Sequence, residues 1–290
     1  MRRFGAAQLL MLAPAQALLI AFIAIPSLYV FWLSFTESSY GTGTLFVGLA
    51  NYEAIWQDDA FWRALVNTLL VINVIVYGEL LISFLLAAVF VQGIPFRAVV
   101  LAIILMPYAI SEVVAVAIWK FMLDPQIGSI ARTLAALGLP DFDWATNPTQ
   151  GLILVCLISI WLHLPFTFII IYAAMLAVPK ELYEAAKIDG ASAAQRFRYV
   201  TLPGIAGAVL VALIFRYILS FRLFSEVWLL TAGGPARMTE VLAVYLYKQA
   251  FTYASFGMGA ATGWIMVVVS GLVAALYVWL LHRQGFRKDA

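Results

Sequence analysis

Charge is scarce in this chain: of 290 residues only 11% are Asp, Glu, Lys or Arg, while 64% are hydrophobic. A soluble domain carries about 25% charged residues, and so apolar a chain could not be covered by a soluble fold. Cysteine is scarcer still. Cys156 stands alone, which excludes an intrachain disulfide framework and any multi-cysteine metal site and leaves packing as its expected role. The two histidines, His163 and His282, lie too far apart in sequence and expected depth to form a ligand pair. His163 sits in "WLHLPF", where Pro165 frees a carbonyl it could bond. No G-x-x-x-x-G-K-[ST] stretch is present, so the chain lacks a Walker-type phosphate cradle, and Gly233-Gly234-Pro235 reads as an external turn. No segment pairs His and Glu at helical metal spacing, and the one cysteine has no evident base beside it, which argues against an intramembrane enzyme.

Long apolar runs are what the chain has. Six exceed the ~20 residues that cross a bilayer: Ala6 to Phe35, Leu65 to Val91, Ala98 to Leu123, Gly151 to Val178, Gly204 to Thr231 and Gly259 to Leu281. The expected fold is all-α, a polytopic membrane protein with six transmembrane helices. With the N-terminus inside, Arg2, Arg3, Arg97, Lys180, Lys187, Arg196, Arg198, Arg283, Arg287 and Lys288 gather on the cytoplasmic side. Arg63, Arg132, Arg237 and Lys248 remain outside, among acids such as Glu53, Asp58, Asp59, Asp141, Asp143 and Glu240. Both termini are therefore expected in the cytoplasm. The first run continues to Phe35 and reads as an uncleaved anchor. Topology accounts for the net charge of +2, so nothing calls for a nucleic-acid partner.

One polar segment interrupts these runs. In "ELYEAAKIDGASAAQRFRYVTLP", Pro179 suits a helix start, Glu181 and Glu184 complement the positive helix end, and Lys187 falls in the last turn. Asp189-Gly190 supplies a stop, Ser192 with Gln195 matches a capping box for a second short helix through Arg198, and Leu202-Pro203-Gly204 is expected to break the chain before the fifth span. A helix of about ten residues is marginal alone in water, so something must pack on it. Ala185 and Ala186 would let a partner approach closely, with Leu182, Tyr183 and Ile188 as apolar anchors. Glu181, Glu184 and Asp189 would be repelled by anionic headgroups, which favours a cytosolic protein over the lipid surface.

Glu184-Ala185-Ala186, then Gly190, then Val200 and Leu202-Pro203 resemble the EAA signature of type I binding-protein-dependent ABC importer permeases. "LTAGGPARMTEVLAVYLYKQAF", Leu230 to Phe251, and "ILMPYAISEVVAVAIWKFMLDPQIGSIARTL", Ile104 to Leu134, are similar to the carbohydrate-uptake branch of that family, that of maltose, trehalose and glycerol-phosphate type inner-membrane subunits. The resemblance implies a permease without enzymatic activity in the cytoplasmic (inner) membrane of a bacterium. It would pair with a second homologous permease, two copies of a cytosolic ATPase and an external solute-binding protein that delivers a sugar. ATP and Mg are then expected on the ATPase, with no cofactor on this chain. Glu181, Leu182, Tyr183, Glu184, Ala185, Ala186, Asp189 and Gly190 would form the coupling helix that seats in the ATPase. An anchor helix and external loop are expected over residues 1–64, the transport core over 65–281 and a cytoplasmic tail over 282–290.

Ionisable groups at membrane depth are costly and usually face a cavity or a partner. Counting ~1.5 Å per residue puts Glu112 about 22 Å above Arg97 and Arg216 about 20 Å above Pro203, so the two are expected to pair or to line the cavity together. Arg222 and Glu226, four apart, read as a local ion pair, Lys120 as snorkelling to the outer headgroups, and Glu79 as an interhelical hydrogen bond or part of a permease interface. A sugar path needs hydrogen-bonding groups and aromatic faces, for which Tyr108, Glu112, Trp161, Arg216, Tyr217, Phe221, Phe224 and Trp228 are candidates. A secondary transporter with Glu79 and Glu112 as proton relays is the alternative; inverted repeats are not evident, and the polar segment would have no purpose in it.

Overall fold

The computed structural model describes residues 6–41, 43–124, 126–138 and 142–285. Arg2, Arg3, Asp141, Arg287 and Lys288 of the charge reading lie outside them, as do the side chains of His282 and Arg283. The chain begins with α1 (Ala6–Leu19) and α2 (Ile25–Leu33), then a small antiparallel pair, β1 (Thr36–Glu37) with β2 (Leu45–Phe46), and α3 (Ala50–Gln57). Next come α4 (Asp59–Val91), α5 (Arg97–Leu105), α6 (Glu112–Met122), α7 (Ser129–Ala136) and α8 (Pro148–Leu176). The polar segment holds α9 (Lys180–Ile188) and α10 (Ala193–Arg196), and α11 (Leu202–Ser220), α12 (Ser225–Thr231), α13 (Leu242–Tyr247) and α14 (Phe256–Gly285) follow.

Among the described residues, five helical stretches are long and apolar enough to cross a bilayer: Ala13–Leu33, Asp59–Val91, Pro148–Leu176, Ala193–Ser220 and Phe256–Leu280. The sixth candidate, Arg97–Ala109 with Glu112–Met122, is bent by 101°. Pro107 stands in a 3-10 turn over Met106–Ala109, after which Ile110 and Ser111 are extended, so the helix hydrogen-bond ladder stops and restarts at Glu112. The straight third span expected from hydropathy is thus two helices. The fifth also departs from expectation at both ends. Pro203 does not break it: the chain passes from α10 through a π-helical turn, Phe197–Thr201, in which the Leu202 N–H reaches back to the Phe197 carbonyl. That wider turn carries the helix past a residue that donates no hydrogen. At its far end the helix stops at Ser220 instead of reaching Thr231.

The chain divides into two compact units, one of residues 1–61 with 245–267, the other of residues 62–244 with 268–290. In the first, Asn51 Nδ2 donates to the carbonyls of Ser34 and Thr36 at 2.9 Å each, and Phe31 meets Trp264 edge-on at 4.8 Å. Gly257 has no room for a Cβ, because the Thr36 carbonyl and Asn51 already occupy that space. In the second unit α4, α8 and α11 pack on one apolar core that includes Ile72, Phe168, Ile171, Leu213 and Tyr277. A further core joins α4, α6, α8 and α12 through Ile75, Val116, Leu154, Ile158 and Val227. Cys156 is buried in it, as its expected packing role requires. Outside the apolar runs, hydrogen bonds from Thr146 hold the Asp143 carboxyl below its ordinary range.

Candidate functional site

Both breaks in the spans of the second unit open onto one cavity of about 430 Å³. Its lining comes from the turn before α6 (Tyr108, Ile110, Glu112), the face of α8 that carries Ser159 and His163, and the end of α11 with the turn after it (Arg216, Ser220, Arg222). Glu226 completes the polar set. The local reason is common to both acids. Glu112 and Glu226 stand in the first turns of α6 and α12, helices that restart after a break, where unpaired N–H groups favour a carboxylate. Ser159 and His163, four residues apart, share a face of α8, as Arg216 and Ser220 do on α11.

Arg216 pairs with Glu79, not with Glu112. Its Nε and Nη2 donate to the two Glu79 carboxylate oxygens at 2.6 and 2.5 Å, with the side chains 4% and 0% exposed. Thr167 Oγ1 donates to the same carboxylate at 3.1 Å, so α4, α8 and α11 are tied at one buried point. The expected Glu112–Arg216 pair fails because it took both spans as straight helices measured from the inner face, whereas the third is bent before Glu112. Glu79 takes the interhelical role expected for it.

Glu112 instead lies 3.6 Å from His163 Nε2. The other ring nitrogen, Nδ1, is 3.0 Å from the Ser159 carbonyl, which can only accept, so Nδ1 carries a hydrogen. That carbonyl is not the one freed by Pro165. Glu226 is 2% exposed and accepts from Ser159 Oγ at 2.8 Å. Arg222 forms no ion pair with it, because α11 has ended before Arg222 and the two no longer share a helical face. Lys120 Nζ donates to the Leu229 carbonyl at 2.7 Å and lies over the Trp144 ring, so it is tied down within the protein.

Of the eight residues picked from sequence for a solute path, Tyr108, Glu112 and Arg216 line the cavity. The other five do not. Tyr217 and Phe221 are buried in the core, Tyr217 donating to Asn73 Oδ1 at 2.6 Å. Trp161 meets Trp119 edge-on at 5.6 Å, and Phe224 stacks on Trp228 at 5.7 Å. Ser159, His163, Ser220, Arg222 and Glu226 enter in their place; the i, i+4 spacing of Ser159 with His163 and of Arg216 with Ser220 is the signal for the first three, while Arg222 and Glu226 stand out by their charge inside an apolar run.

The polar segment forms a second candidate site, and its shape is encoded locally. At the end of α9, Gly190 adopts φ +75°, the Ala191 N–H bonds the Ala186 carbonyl at 2.9 Å, and the Gly190 N–H bonds Lys187 at 3.1 Å. This is a Schellman stop, which satisfies carbonyls the helix end would leave bare. Ser192 and Gln195 then form the expected capping box around the start of α10. Glu181, Leu182, Glu184, Ala185, Asp189 and Gly190 are exposed, with Leu182 at 51% and Ile188 at 86%. Ala186 is half-buried. Tyr183 corrects the expected set of outward anchors: it turns inward, packs against the apolar core and bonds Thr201 Oγ1 at 2.9 Å through its hydroxyl.

Comparison with known proteins agrees with this architecture. Residues 59–285 match the family described as "Binding-protein-dependent transport system inner membrane component". The chain is 34% identical over 269 residues to the trehalose transport system permease protein SugA of Mycobacterium tuberculosis, covering 92% of this chain and 85% of that one. It is 31% identical over 279 residues to the sulfoquinovosyl glycerol transport system permease protein SmoG of Agrobacterium fabrum, covering 95% and 90%. Among solved structures, a chain of a bacterial alginate ABC transporter in complex with alginate pentasaccharide-bound periplasmic protein superposes with a TM-score of 0.78 at 24% identity, covering 92% of this chain and 91% of that one. The fold is therefore the type I ABC importer permease fold, and this multi-pass chain belongs to the family of inner-membrane components of binding-protein-dependent transport systems.

Proposed function

We propose that this chain is the permease subunit of an ATP-driven importer that moves a sugar, delivered by an external solute-binding protein, through the cavity lined by Tyr108, Glu112, His163, Arg216, Ser220 and Glu226. It works beside a second homologous permease and two copies of a cytosolic ATPase, which carry the ATP and Mg. The carbohydrate assignment draws support from relatives named for trehalose and for sulfoquinovosyl glycerol. Both termini and α9 lie on the cytoplasmic side, a placement supported by Lys180, Lys187, Arg196 and Arg198 clustering there.

The observation that carries the reading is α9. Nine residues long, it keeps Leu182 and Ile188 in solvent while Tyr183 anchors it inward. Such a helix gains its order from a partner, and its exposed acids favour a protein groove. ATPase closure would press on α9 and move the spans that line the cavity. The buried Glu79–Arg216 pair speaks against a proton relay through Glu79, since that carboxylate is fully engaged. The test is reconstitution of the whole transporter in proteoliposomes. Glu184→Lys is expected to leave assembly and basal ATP hydrolysis in place while cutting uptake at least about tenfold, beyond what a surface charge change does to stability. Normal uptake by assembled complexes carrying it overturns the coupling role.

A further inference from the structure

The relatives do not fix the charge of the solute: one is named for trehalose, an uncharged disaccharide, another for sulfoquinovosyl glycerol. The cavity bears on this directly. Two arginines line it, and an anionic sugar would need one of them. Arg216 is already committed, its fork held by both oxygens of Glu79 at 2.6 and 2.5 Å. A bidentate pair of this kind uses the planar face that a phosphate or carboxylate would otherwise take. The remaining formal charges on the lining are Glu112 and Glu226 against Arg222 alone, with the His163 ring turned to Glu112.

An anion stripped of water at membrane depth requires a cation whose charge is not offset nearby, and the one left, Arg222, shares the lining with two acidic side chains, Glu112 and Glu226. Uncharged groups are better provided for. Ser220, 6% exposed, lines the cavity and its Oγ has no hydrogen-bond partner among the described residues. A hydroxyl can donate and accept, which suits another hydroxyl. We propose that Glu79 sets the charge class of the solute: by engaging Arg216 it leaves a cavity for uncharged polyhydroxylated compounds and closes it to sugar phosphates and uronates. This rests on the cavity being the solute path.

The test uses the assembled transporter in nanodiscs without its binding protein, so that selection reads the cavity. Saturation-transfer NMR compares glucose, maltose and trehalose with their 6-phosphates. The wild type is expected to bind at least one neutral sugar about tenfold more tightly than its phosphate, and Glu79→Gln to bring the two within about threefold, as release of a buried guanidinium would do. Should that variant fail to assemble, the double change Glu79→Leu with Arg216→Met removes both charges together and is expected to keep the wild-type preference. Equal or tighter binding of the phosphate by the wild type, or an unchanged preference in assembled Glu79→Gln complexes, or a lost preference in the double variant, overturns the assignment to Glu79. If no sugar binds the cavity and none stabilises the cognate binding protein, the carbohydrate reading falls first and this inference with it. Sugar binding without charge preference removes this inference alone.

Discussion

At the scale of single residues, the Glu79–Arg216 contact is the point where most is at stake. Two charges withdrawn from solvent are tolerable only together, because each alone would be a bare ion in an apolar surrounding. Glu79→Leu or Arg216→Met alone is expected to cost about 3–5 kcal/mol, while the double change costs less than either. Thermal unfolding of the purified complexes in detergent checks this, and a double variant as unstable as the sum of the singles contradicts it. The residues themselves were visible in sequence, since an ionisable group inside an apolar run asks for a partner. Which partner was not visible: helical rise gave Arg216 and Glu112 a similar height, but no count of residues can see a bend of 101°. Aromatic residues misled for a related reason. Trp161, Phe221 and Trp228 could face a sugar or one another, and periodicity does not separate the two.

At the scale of elements, the short helices of the polar segment were the most legible part of the chain, because their signals are local. Gly190 at φ +75° and the Ser192–Gln195 box each act within five residues of themselves. Gly190→Val forces a β-branched side chain into a left-handed conformation, at a cost of about 1–2 kcal/mol. Hydrogen exchange at α9 amides should quicken accordingly. Tyr183→Phe removes the hydroxyl bond to Thr201 and is expected to loosen α9 by about 1 kcal/mol while leaving α10 unchanged. Equal exchange in wild type and variant contradicts the inward anchor. The helix boundaries were harder to read. From sequence a stop is expected at Pro203 and a straight span through Pro107, although both residues lack the same N–H. At Pro203 a wider turn re-routes the ladder, while at Pro107 the following residues are extended and it ends.

At the scale of the whole molecule, hydropathy supplied the span count to within the one bent pair, and lysine and arginine placement supplied an orientation. Cysteine accessibility tests the latter. In a Cys156→Ser background, a cysteine at Gln195 is expected to react with an impermeant maleimide only after the membrane is opened, and one at Ala236 in intact cells. The reverse pattern inverts the topology.

The unbroken passage from Ala193 to Ser220 has a mechanical corollary. These 28 residues form one helix, some 40 Å of rod at ~1.5 Å per residue, with α9 just before one end and the cavity serine, Ser220, at the other. A push delivered below has no joint along the way in which to be lost. With α9 docked as proposed, the first break it meets is the helix end at Phe221, so movement at the α9 end would pass along the rod to the cavity.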